Sequence, residues 1–403
     1  MNGIRFLIIS SFLLLSFPCC AQIRVIKAIN EVSRINLSGF QTEKNVAANL
    51  FFKTFQSDLI RSGFFRKSDL ANAEYRVTGF CKQVRSDIVV KCQVYGVISK
   101  RRLLSKTYRA PASDPRALAH RITDDIVYKL SGRPGIASTH IVMVSTRTGS
   151  KELYICDADG KSLMQLTHDK SISVAPKWAS DGRQLVYTSY CSHFPDVYLI
   201  TLKTGKRQCI ASYPGLNACP ALSPDGWKIA LTLSKDGNPD LFIKDLASGQ
   251  LTRLTSTKFA GEASPSWSPD GRQIVFVSDQ SGSPQLYIIS CNSRKLMRIT
   301  GMGSENVEPD WGPDKHIVYA SRIRGKYQIY VLNSETLAIH HISPEDADYT
   351  DPSWAPDGRH IACVRTEHHH SRIFIIDVTT KSCINLLPEC EKGEWYSPDW
   401  SAK

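Results

Sequence analysis

From about residue 140 onward, apolar and polar residues alternate in short runs separated by turn residues, and one phrase of this pattern recurs. It reads "SPSWSPDGRQIVFVSD" at residues 264–279. Related phrases are "APKWASDGRQLVYTS" from Ala175, "CPALSPDGWKIALTLS" from Cys219, "EPDWGPDKHIVYASR" from Glu308 and "DPSWAPDGRHIACVRT" from Asp351. Alternation over four to eight residues predicts β-strands, and no helical periodicity interrupts them.

The repeat has a nearly constant length. Its aligned positions, Trp178, Leu222, Trp267, Trp311 and Trp354, are separated by 44, 45, 44 and 43 residues. Each period holds a turn, an alternating strand, a second turn, another strand such as "DLFIKDL" and a short last strand. Four strands in 40–45 residues are typical of a β-propeller blade.

Turn formation and packing explain the residues of the repeated phrase. In Pro-Asp-Gly, Pro presets φ, Asp bonds back to the backbone and Gly takes a positive φ. Trp offers a large flat surface that neighbouring blades can bury. We therefore interpret Asp225, Asp270 and Asp357 as turn residues.

The two ends of the repeat region complement one another. Pro398-Asp399-Trp400-Ser401 matches Pro265-Ser266-Trp267-Ser268 and so predicts an innermost strand with no blade after it. In contrast, "HIVMVST" at 140–146 is a second strand with no Trp strand before it. Pairing the two ends gives a six-bladed β-propeller over residues 139–403, closed by the C-terminal strand and without edges at the seam.

The preceding region, residues 22–135, predicts a small α/β N-terminal domain. Apolar residues from Val46 to Leu59 follow a helical spacing, and Gly63 stands where a left-handed cap is expected. Three strand-like runs follow, "EYRVTGF", "DIVVKCQVYGVI" and "RLLSKTYRA". A second helix has Asp114 as its N-cap, Pro115 in its first turn and Gly132 at its end.

Residues 1–21 have the form of a secretory signal peptide. Arg5 precedes an apolar run, Phe6–Phe17, and small residues end at Ala21. Twelve apolar residues are too few to span a bilayer as a helix, which needs about 20. We expect cleavage near Ala21 and an exported, soluble protein, with a lipoprotein signal at Cys19 or Cys20 as the alternative.

The whole chain carries a formal net charge of +12, which favours anionic partners. Apart from Lys100-Arg101-Arg102 the basic residues are scattered along the sequence, so a solvated basic surface is the plainer interpretation. A nucleic-acid partner is not expected, because the chain carries an export signal and has no nucleic-acid-binding motif.

The cysteines and histidines indicate no metal or redox site. Cys81 and Cys92 flank the turn at residues 85–87 and are a disulfide candidate, because two adjacent strands would place them opposite one another. His368-His369-His370 and His340-His341 fit solvated turns and an outer strand. Asp157-Ala158-Asp159-Gly160 resembles the start of a calcium loop but lacks its glutamate at position 168. We expect no cofactor.

No catalytic motif is recognisable, which leaves the loops before the inner strands as the candidate site. In a propeller these loops funnel toward the central channel. We predict that this propeller mouth binds a partner through residues that are mostly polar or acidic, with two aromatic anchors. They are Leu216, Asn217, Glu262, Ala263, Asn306, Glu308, Tyr349, Asp351, Glu394 and Trp395.

Several stretches are similar to the TolB family, the periplasmic propeller proteins of the Tol–Pal system of Gram-negative bacteria. They are "DLIRSGFF" at 58–65, "TDDIVYKLSG" before the propeller, "KDLASGQLTRLT" at 244–255 and the terminal Pro-x-Trp-Ser. The α/β domain, the repeats and the closure add to this resemblance, which covers essentially the whole chain after the signal peptide.

The resemblance implies a non-enzymatic, monomeric periplasmic protein. It implies binding of the peptidoglycan-associated lipoprotein Pal at the mouth, and a role in outer-membrane integrity and in envelope constriction at division. The family's N-terminal arm reaches TolA. Here that arm corresponds to residues 22–35, with Ile23, Arg24, Val25, Ile26 and Ile29, which either add as a strand to a partner sheet or form the ordinary first strand of the domain.

Departures from the family pattern leave alternatives open. Leu216 stands where family members tend to have His, and Ala263 stands where they have Thr, so other residues can carry the Pal contact. The alternative function is a propeller enzyme or binder that acts on envelope glycans or peptides. Under the Pal hypothesis we expect Glu262→Lys or Asp351→Lys to weaken Pal binding with little change in melting temperature.

Overall fold

A computed structural model describes residues 32–390 and 392–402. The proposed signal peptide and Ile23, Arg24, Val25, Ile26 and Ile29 of the arm lie outside the described residues. The N-terminal region is one mixed sheet in the order β2-β1-β3-β4-β5 with two helices on one face. Its elements are Ser33–Thr42 (β1), Val46–Arg61 (α1), Phe65–Lys67 (β2), Tyr75–Val84 (β3), Asp87–Gly96 (β4), Arg102–Pro111 (β5) and Pro115–Ser131 (α2).

Both predicted helices form with caps that their sequences supply. Asn45 accepts a hydrogen bond from the Ala48 backbone N–H at the start of α1, and Asp114 does the same for Ala117 in α2. Gly63 and Gly132 take left-handed φ values of 71° and 75° just after the two helices. These four positions confirm the predicted helix boundaries to within a few residues.

The apolar face of α1 is narrower than the spacing predicted. Phe51, Phe55 and Leu59 are fully buried against the sheet, whereas Val46 and Leu50 are exposed. Ala48 and Thr54 complete the buried face instead. The buried face of α1 therefore runs through Ala48, Phe51, Phe55 and Leu59, and Val46 and Leu50 lie outside it.

The remainder is a ring of six four-stranded antiparallel sheets. The chain enters through His140–Ser145 (β6), Glu152–Asp157 (β7) and Met164–Gln165 (β8), which are three strands of the seam blade. Blade 1 is Ser173–Trp178 (β9), Gln184–Ser189 (β10), Asp196–Thr201 (β11) and Lys206–Ala211 (β12). Blade 2 is Asn217–Leu222 (β13), Lys228–Leu233 (β14), Asp240–Asp245 (β15) and Leu251–Arg253 (β16).

The other three blades and the closing strand follow the same order. Blade 3 is Glu262–Trp267 (β17), Gln273–Ser278 (β18), Gln285–Ser290 (β19) and Leu296–Arg298 (β20). Blade 4 is Glu305–Trp311 (β21), His316–Ile323 (β22), Lys326–Asn333 (β23) and Ile339–His341 (β24). Blade 5 is Asp348–Trp354 (β25), His360–Glu367 (β26), His370–Asp377 (β27) and Cys383–Asn385 (β28). The closing strand is Trp395–Trp400 (β29).

The ring closes as the sequence predicted. Strand β29 pairs antiparallel with β6, with Trp395 opposite Ser145 and Trp400 opposite Ile141. The seam blade is therefore ordered β29-β6-β7-β8, with its first strand from the end of the chain. The Trp400 indole Nε1–H also donates to the Thr139 hydroxyl at 2.7 Å, which ties the closing strand to the segment just before β6.

The repeated residues have the predicted structural roles. Asp225 and Asp270 each accept a backbone N–H two residues ahead and a serine hydroxyl two residues behind. These contacts hold the pKa of both carboxyls below the usual value. Trp178 packs between the seam blade and blade 1, and Trp267 packs between blades 2 and 3.

The disulfide prediction rested on a hairpin register that the structure corrects. Residues 85 and 86 form the turn, so Cys81 lies opposite Val90 and Cys92 lies opposite Gly79. The two thiols are on diagonal positions and are free. Burial raises the thiol pKa of Cys81 to about 11 and that of Cys92 to about 12, so both behave as small core residues.

Within residues 32–390 and 392–402, none of the helices has the length and apolar character that crossing a membrane requires.

Candidate functional site

All six inner strands, β9, β13, β17, β21, β25 and β29, begin on the same side of the ring. Each is antiparallel to the second strand of its blade, so this side also holds the turns between second and third strands. We refer to it as the mouth face. The N-terminal region contacts the opposite side, where Asp157, Asp314 and Arg359 lie in or beside the turns.

Half of the predicted mouth residues are buried. Asn217, Glu262, Asn306, Tyr349 and Trp395 occupy equivalent positions at or near the start of five inner strands, and each is at most 1% exposed. Their side chains point between blades instead of into the loop funnel. The structure therefore corrects the prediction at these five positions, because they offer no surface to a partner.

These buried side chains hold the loops that lead into the inner strands. Asn217 Oδ1 accepts the Tyr213 backbone N–H at 2.8 Å, and its Nδ2 donates to the Tyr213 carbonyl at 2.7 Å. Asn306 Nδ2 donates to the Met302 carbonyl at 2.7 Å. The sequence does place polar residues before the inner strands, but these residues satisfy backbone groups of the loops and do not face a partner.

Glu262 has the least ordinary environment of the five. Its carboxyl accepts hydroxyl hydrogen bonds from Thr255, Thr257 and Ser278. Burial and the nearby Asp240 raise its pKa to about 7. Glu262→Lys would bury an ammonium group here, so we now expect that variant to lower the melting temperature.

Glu308 and Asp351 lie in the wall of the central channel. Each inner strand places a residue followed by proline there, and together these pairs line a cavity of about 100 Å³. The six residues before proline all have left-handed φ values between 44° and 55°. They are Ala175, Cys219, Ser264, Glu308, Asp351 and Ser397.

The channel side chains bind one another. Glu308 accepts the Asp351 backbone N–H at 2.6 Å, and Asp351 accepts the Ser397 backbone N–H at 2.9 Å. Burial, reinforced by Asp351, raises the pKa of Glu308 well above its usual value. Glu308 and Asp351 are therefore occupied in joining blades across the channel.

A lysine lies among carboxylates in the same channel. Lys177 Nζ is 2.7 Å from Asp399 Oδ1 and 3.9 Å from Asp310 Oδ1. Burial opposes the charged form, but these carboxylates outweigh it and hold the lysine pKa above its usual value. A cavity of about 100 Å³ is smaller than the roughly 300–1,000 Å³ of sites that enclose small ligands.

Besides Glu308 and Asp351 in the channel wall, three predicted mouth residues are partly exposed, namely Leu216, Ala263 and Glu394. Glu394 accepts the Ser371 backbone N–H at 2.5 Å, and its carboxylate lies beside His370 and Arg372. Of the ten predicted residues, five are therefore buried, two line the channel and three are partly exposed outside it.

Four exposed apolar side chains on the mouth face were missed by the sequence analysis. Phe194 is 71% exposed in a turn of blade 1, and Phe259 is 86% exposed in the loop before β17. Met302 and Ile172, 64% and 45% exposed, precede β21 and β9. An apolar residue in a polar loop, as in "SHFPD" and "TKFAGE", was the available signal. Such side chains are typical anchors of protein interfaces.

The Asp157-Ala158-Asp159-Gly160 loop lies on the opposite face. Arg116 of α2 donates to Asp157 and to Asp159, each at 2.9 Å. His120 and these two carboxylates are close enough to share a metal ion. However, the Arg116 guanidinium already pairs with both carboxylates, so we assign the loop to contact between the N-terminal region and the ring.

Comparison with known proteins adds to this geometry. Residues 127–403 match the model of the TolB beta propeller domain. The Tol-Pal system protein TolB of Desulfosudis oleivorans is 33% identical over 183 residues, which are 45% of this chain and 42% of that protein. The protein of the same name from Alcanivorax borkumensis is 35% identical over 178 residues, 43% of this chain and 41% of that protein. The matched stretch thus spans less than half the length of these relatives.

A solved structure matches over nearly the full length. TolB from Acinetobacter baumannii superposes with a TM-score of 0.83 at 28% identity, covering 93% of this chain and 97% of that one. The nidogen/laminin complex matches with a TM-score of 0.54 at 10% identity, over 65% of this chain and 98% of that one, a likeness of fold alone.

Proposed function

The chain belongs to the TolB beta propeller family, and from this premise we propose that it is a periplasmic, non-enzymatic component of a Tol–Pal system that binds the lipoprotein Pal through its mouth face. In this role it supports outer-membrane integrity and envelope invagination at cell division. Relatives bearing the name Tol-Pal system protein TolB support this proposal.

The observation that carries the proposal is a set of exposed apolar side chains in the loops of the mouth face. Phe194, Phe259 and Met302 are each more than half exposed there. Large apolar side chains that a monomer leaves in water gain free energy when a partner covers them. We therefore place the Pal contact on these residues, together with Leu216, Ala263 and Glu394 at their margin.

The channel supports a binding function over an enzymatic one. Its carboxylates are engaged with backbone N–H groups and with Lys177. A general acid or base needs a proton position that substrate can reach. The cavity around these groups has room for several water molecules but not for a glycan or a peptide.

We further propose that the arm contacts TolA. The first strand of the described chain begins at Ser33, so Ile23, Arg24, Val25, Ile26 and Ile29 precede the paired part of β1. Their alternating apolar pattern suits addition to the edge of a partner sheet.

The mouth assignment is tested by replacing its two exposed phenylalanines. We expect Phe194→Ser with Phe259→Ser to weaken binding of Pal from the same organism at least about tenfold, because anchor side chains each contribute more than about 1 kcal/mol. Isothermal titration calorimetry measures the affinity. The melting temperature should stay within a few degrees, since both side chains are exposed.

Trp227 provides the matched control, because it is 64% exposed but lies on the opposite face. Trp227→Ser should bind Pal like the unsubstituted protein. Equal affinities for the double variant and the Trp227 variant would remove the mouth face from the Pal interface. Turnover of an envelope glycan or peptide by the purified protein would instead favour the enzymatic alternative.

A further inference from the structure

The positive charge of this protein is concentrated at one end of the molecule. Residues 32–135 contain 19 Lys and Arg against eight Asp and Glu, whereas residues 136–403 contain 28 against 29. The N-terminal region is therefore about +11 and the ring about −1. The basic residues are spread along the sequence, but nearly all of their excess over acidic residues lies in this one small domain.

Within that domain the charge lies on the sheet face without helices. Helices α1 and α2 pack on the other face, where Val77, Val90 and Val94 are buried. The open face presents basic side chains from four strands, and we refer to it as the basic face. Its exposed members are Arg66, Arg76, Lys82, Lys91 and Arg102.

The strand register aligns several of these residues. Arg76 of β3 lies opposite Tyr95 of β4, and Tyr95 lies opposite Arg102 of β5. Gly39 of β1 leaves room beside this row, since a Cβ there would come within 3.2 Å of the Arg76 guanidinium. Arg76 can therefore lie against the sheet.

Among the described residues, no carboxylate forms an ion pair with the members of the basic face, whereas Arg34 and Arg109 nearby pair with Glu74 and Asp87. Clustered unpaired cations repel one another and lower stability unless an anionic partner covers them.

An apolar side chain stands at the end of the same sheet. Ile98 in the turn between β4 and β5 is 91% exposed, the largest exposed fraction among the large apolar side chains of the described chain. Lys100, Arg101 and Arg102 follow it directly and are exposed. An apolar tip beside basic residues is an arrangement that suits the interface of an anionic bilayer.

We propose that the basic face and the Ile98 tip dock on an anionic phospholipid surface. The strands of the face are ten residues long, so it extends for about 30 Å, which is wide enough to cover several lipid headgroups. An acidic protein or a soluble polyanion would use the charge but would leave Ile98 without a role.

The position of the basic face allows the protein to bind a membrane at one end and a protein partner at the other. The helices of the N-terminal region contact the ring through Arg116 and through the segment after α1. The basic face is on the far side of these helices and so lies at the opposite end of the molecule from the mouth face. Both ends can therefore be occupied at the same time.

Vesicle sedimentation tests the proposal with the purified protein that begins after the expected cleavage site near Ala21. We expect it to sediment with vesicles of phosphatidylcholine containing phosphatidylglycerol, and not with phosphatidylcholine alone. Each basic contact changes partitioning about fivefold, so Arg76→Gln, Arg101→Gln and Arg102→Gln together should weaken binding about a hundredfold. Ile98→Ser should weaken it about fivefold, including at raised salt where charge contacts are screened.

The control triple variant carries the same change in net charge on the ring, at the exposed residues Lys203, Lys206 and Lys295, each replaced by Gln. It should bind vesicles like the unsubstituted protein. Equal losses in both triple variants would show a non-specific charge effect and overturn the proposal. Absence of binding to anionic vesicles overturns it too. If the Ile98→Ser variant binds vesicles unchanged and heparin displaces the protein fully, the face binds polyanions in general, and the proposal is also overturned.

Discussion

At the scale of single residues, the equivalent position at the start of each inner strand is occupied by a different type of side chain in different blades. Ser173, Asn217, Glu262, Asn306, Tyr349 and Trp395 lie within or at the start of those strands, and all are buried. Asn217 and Tyr349 form hydrogen bonds with nearby backbone or side-chain groups without burying a charge. Glu262 is the carboxylic acid of the set, and its burial makes protein stability depend on pH near neutrality.

The pH dependence follows from the raised pKa of Glu262. Its pKa is about 7 in the folded protein against 4.5 for the ordinary group. Its stabilising contribution is therefore complete below pH 4.5 and is lost as the pH rises through about 7. As the pH rises from 4.5 to 7.5, we expect the free energy of unfolding to fall less for Glu262→Gln than for the unsubstituted protein. Urea unfolding at a series of pH values measures it.

Glu389→Gln is the matched control, because Glu389 is exposed. Its unfolding free energy should follow that of the unsubstituted protein across the same range. Parallel pH profiles for the Glu262 and control variants would show that Glu262 is ionised as easily in the folded chain as in the unfolded one.

At the scale of elements, strand β29 joins the ring by more than its ladder to β6. Asp399 accepts the Trp178 backbone N–H at 2.7 Å and pairs with Lys177 of blade 1. In the other direction, the Trp400 backbone N–H donates to Ser353 of blade 5. The closing strand is therefore bound to both neighbouring blades.

Removing the Asp399 carboxylate should therefore be costly. We expect Asp399→Ala to lower the free energy of unfolding by about 3 kcal/mol, because it leaves the partly buried Lys177 ammonium with only the more distant Asp310 as a partner. Adding Lys177→Met should recover at least half of that loss, in urea unfolding of all four members of the double-mutant cycle.

The exposed pair Lys315–Glu335 gives the comparison for this cycle. Glu335→Ala should change stability by less than about 1 kcal/mol. If Asp399→Ala costs no more than that, or if Lys177→Met adds to the loss, the ion pair in the channel does not hold the closing strand.

The elements themselves were largely predictable, and the site was less so. Trp267 and Asp270 repeat because packing and turn chemistry recur in every blade, so local pattern gave the strands, the closure and the helix caps. Whether Glu262 faces solvent or a neighbouring blade depends on the twist of the sheet and on what blade 2 presents there. That information lies 20 or more residues away, in residues such as Asp240, and the pattern of one repeat does not contain it.

At the scale of the whole molecule, the N-terminal region is held to the ring by a small set of charged contacts. Arg116 bridges to Asp157 and Asp159, and Arg133 pairs with Asp314. Arg359 lies over the ring of Phe64 at 4.8 Å. Such a polar interface sets the relative position of the two parts without a large shared core.

Arg116 should dominate this contact. We expect Arg116→Ala to increase amide hydrogen exchange in residues 133–139 several-fold, because two neighbouring carboxylates lose their counter-ion and repel. Exchange within β17 and β18, away from the contact, should not change. Mass spectrometry of peptic fragments measures both regions.

Lys106→Ala is the control, since it removes an ion pair with Asp125 inside the N-terminal region. It should leave exchange in residues 133–139 as it is. Equal exchange in the Arg116 and Lys106 variants would mean that other contacts position the N-terminal region.

The way in which the chain enters the ring has a mechanical consequence. If the two ends of the molecule are attached to different bodies, tension passes from the N-terminal region through residues 133–139 into β6. This strand has β29 on one side and β7 on the other. Its hydrogen bonds run across the strand axis, so a pull along that axis loads both ladders in shear at once. If the chain entered through an edge strand pulled across its axis, the hydrogen bonds of that strand would break one after another, at lower force.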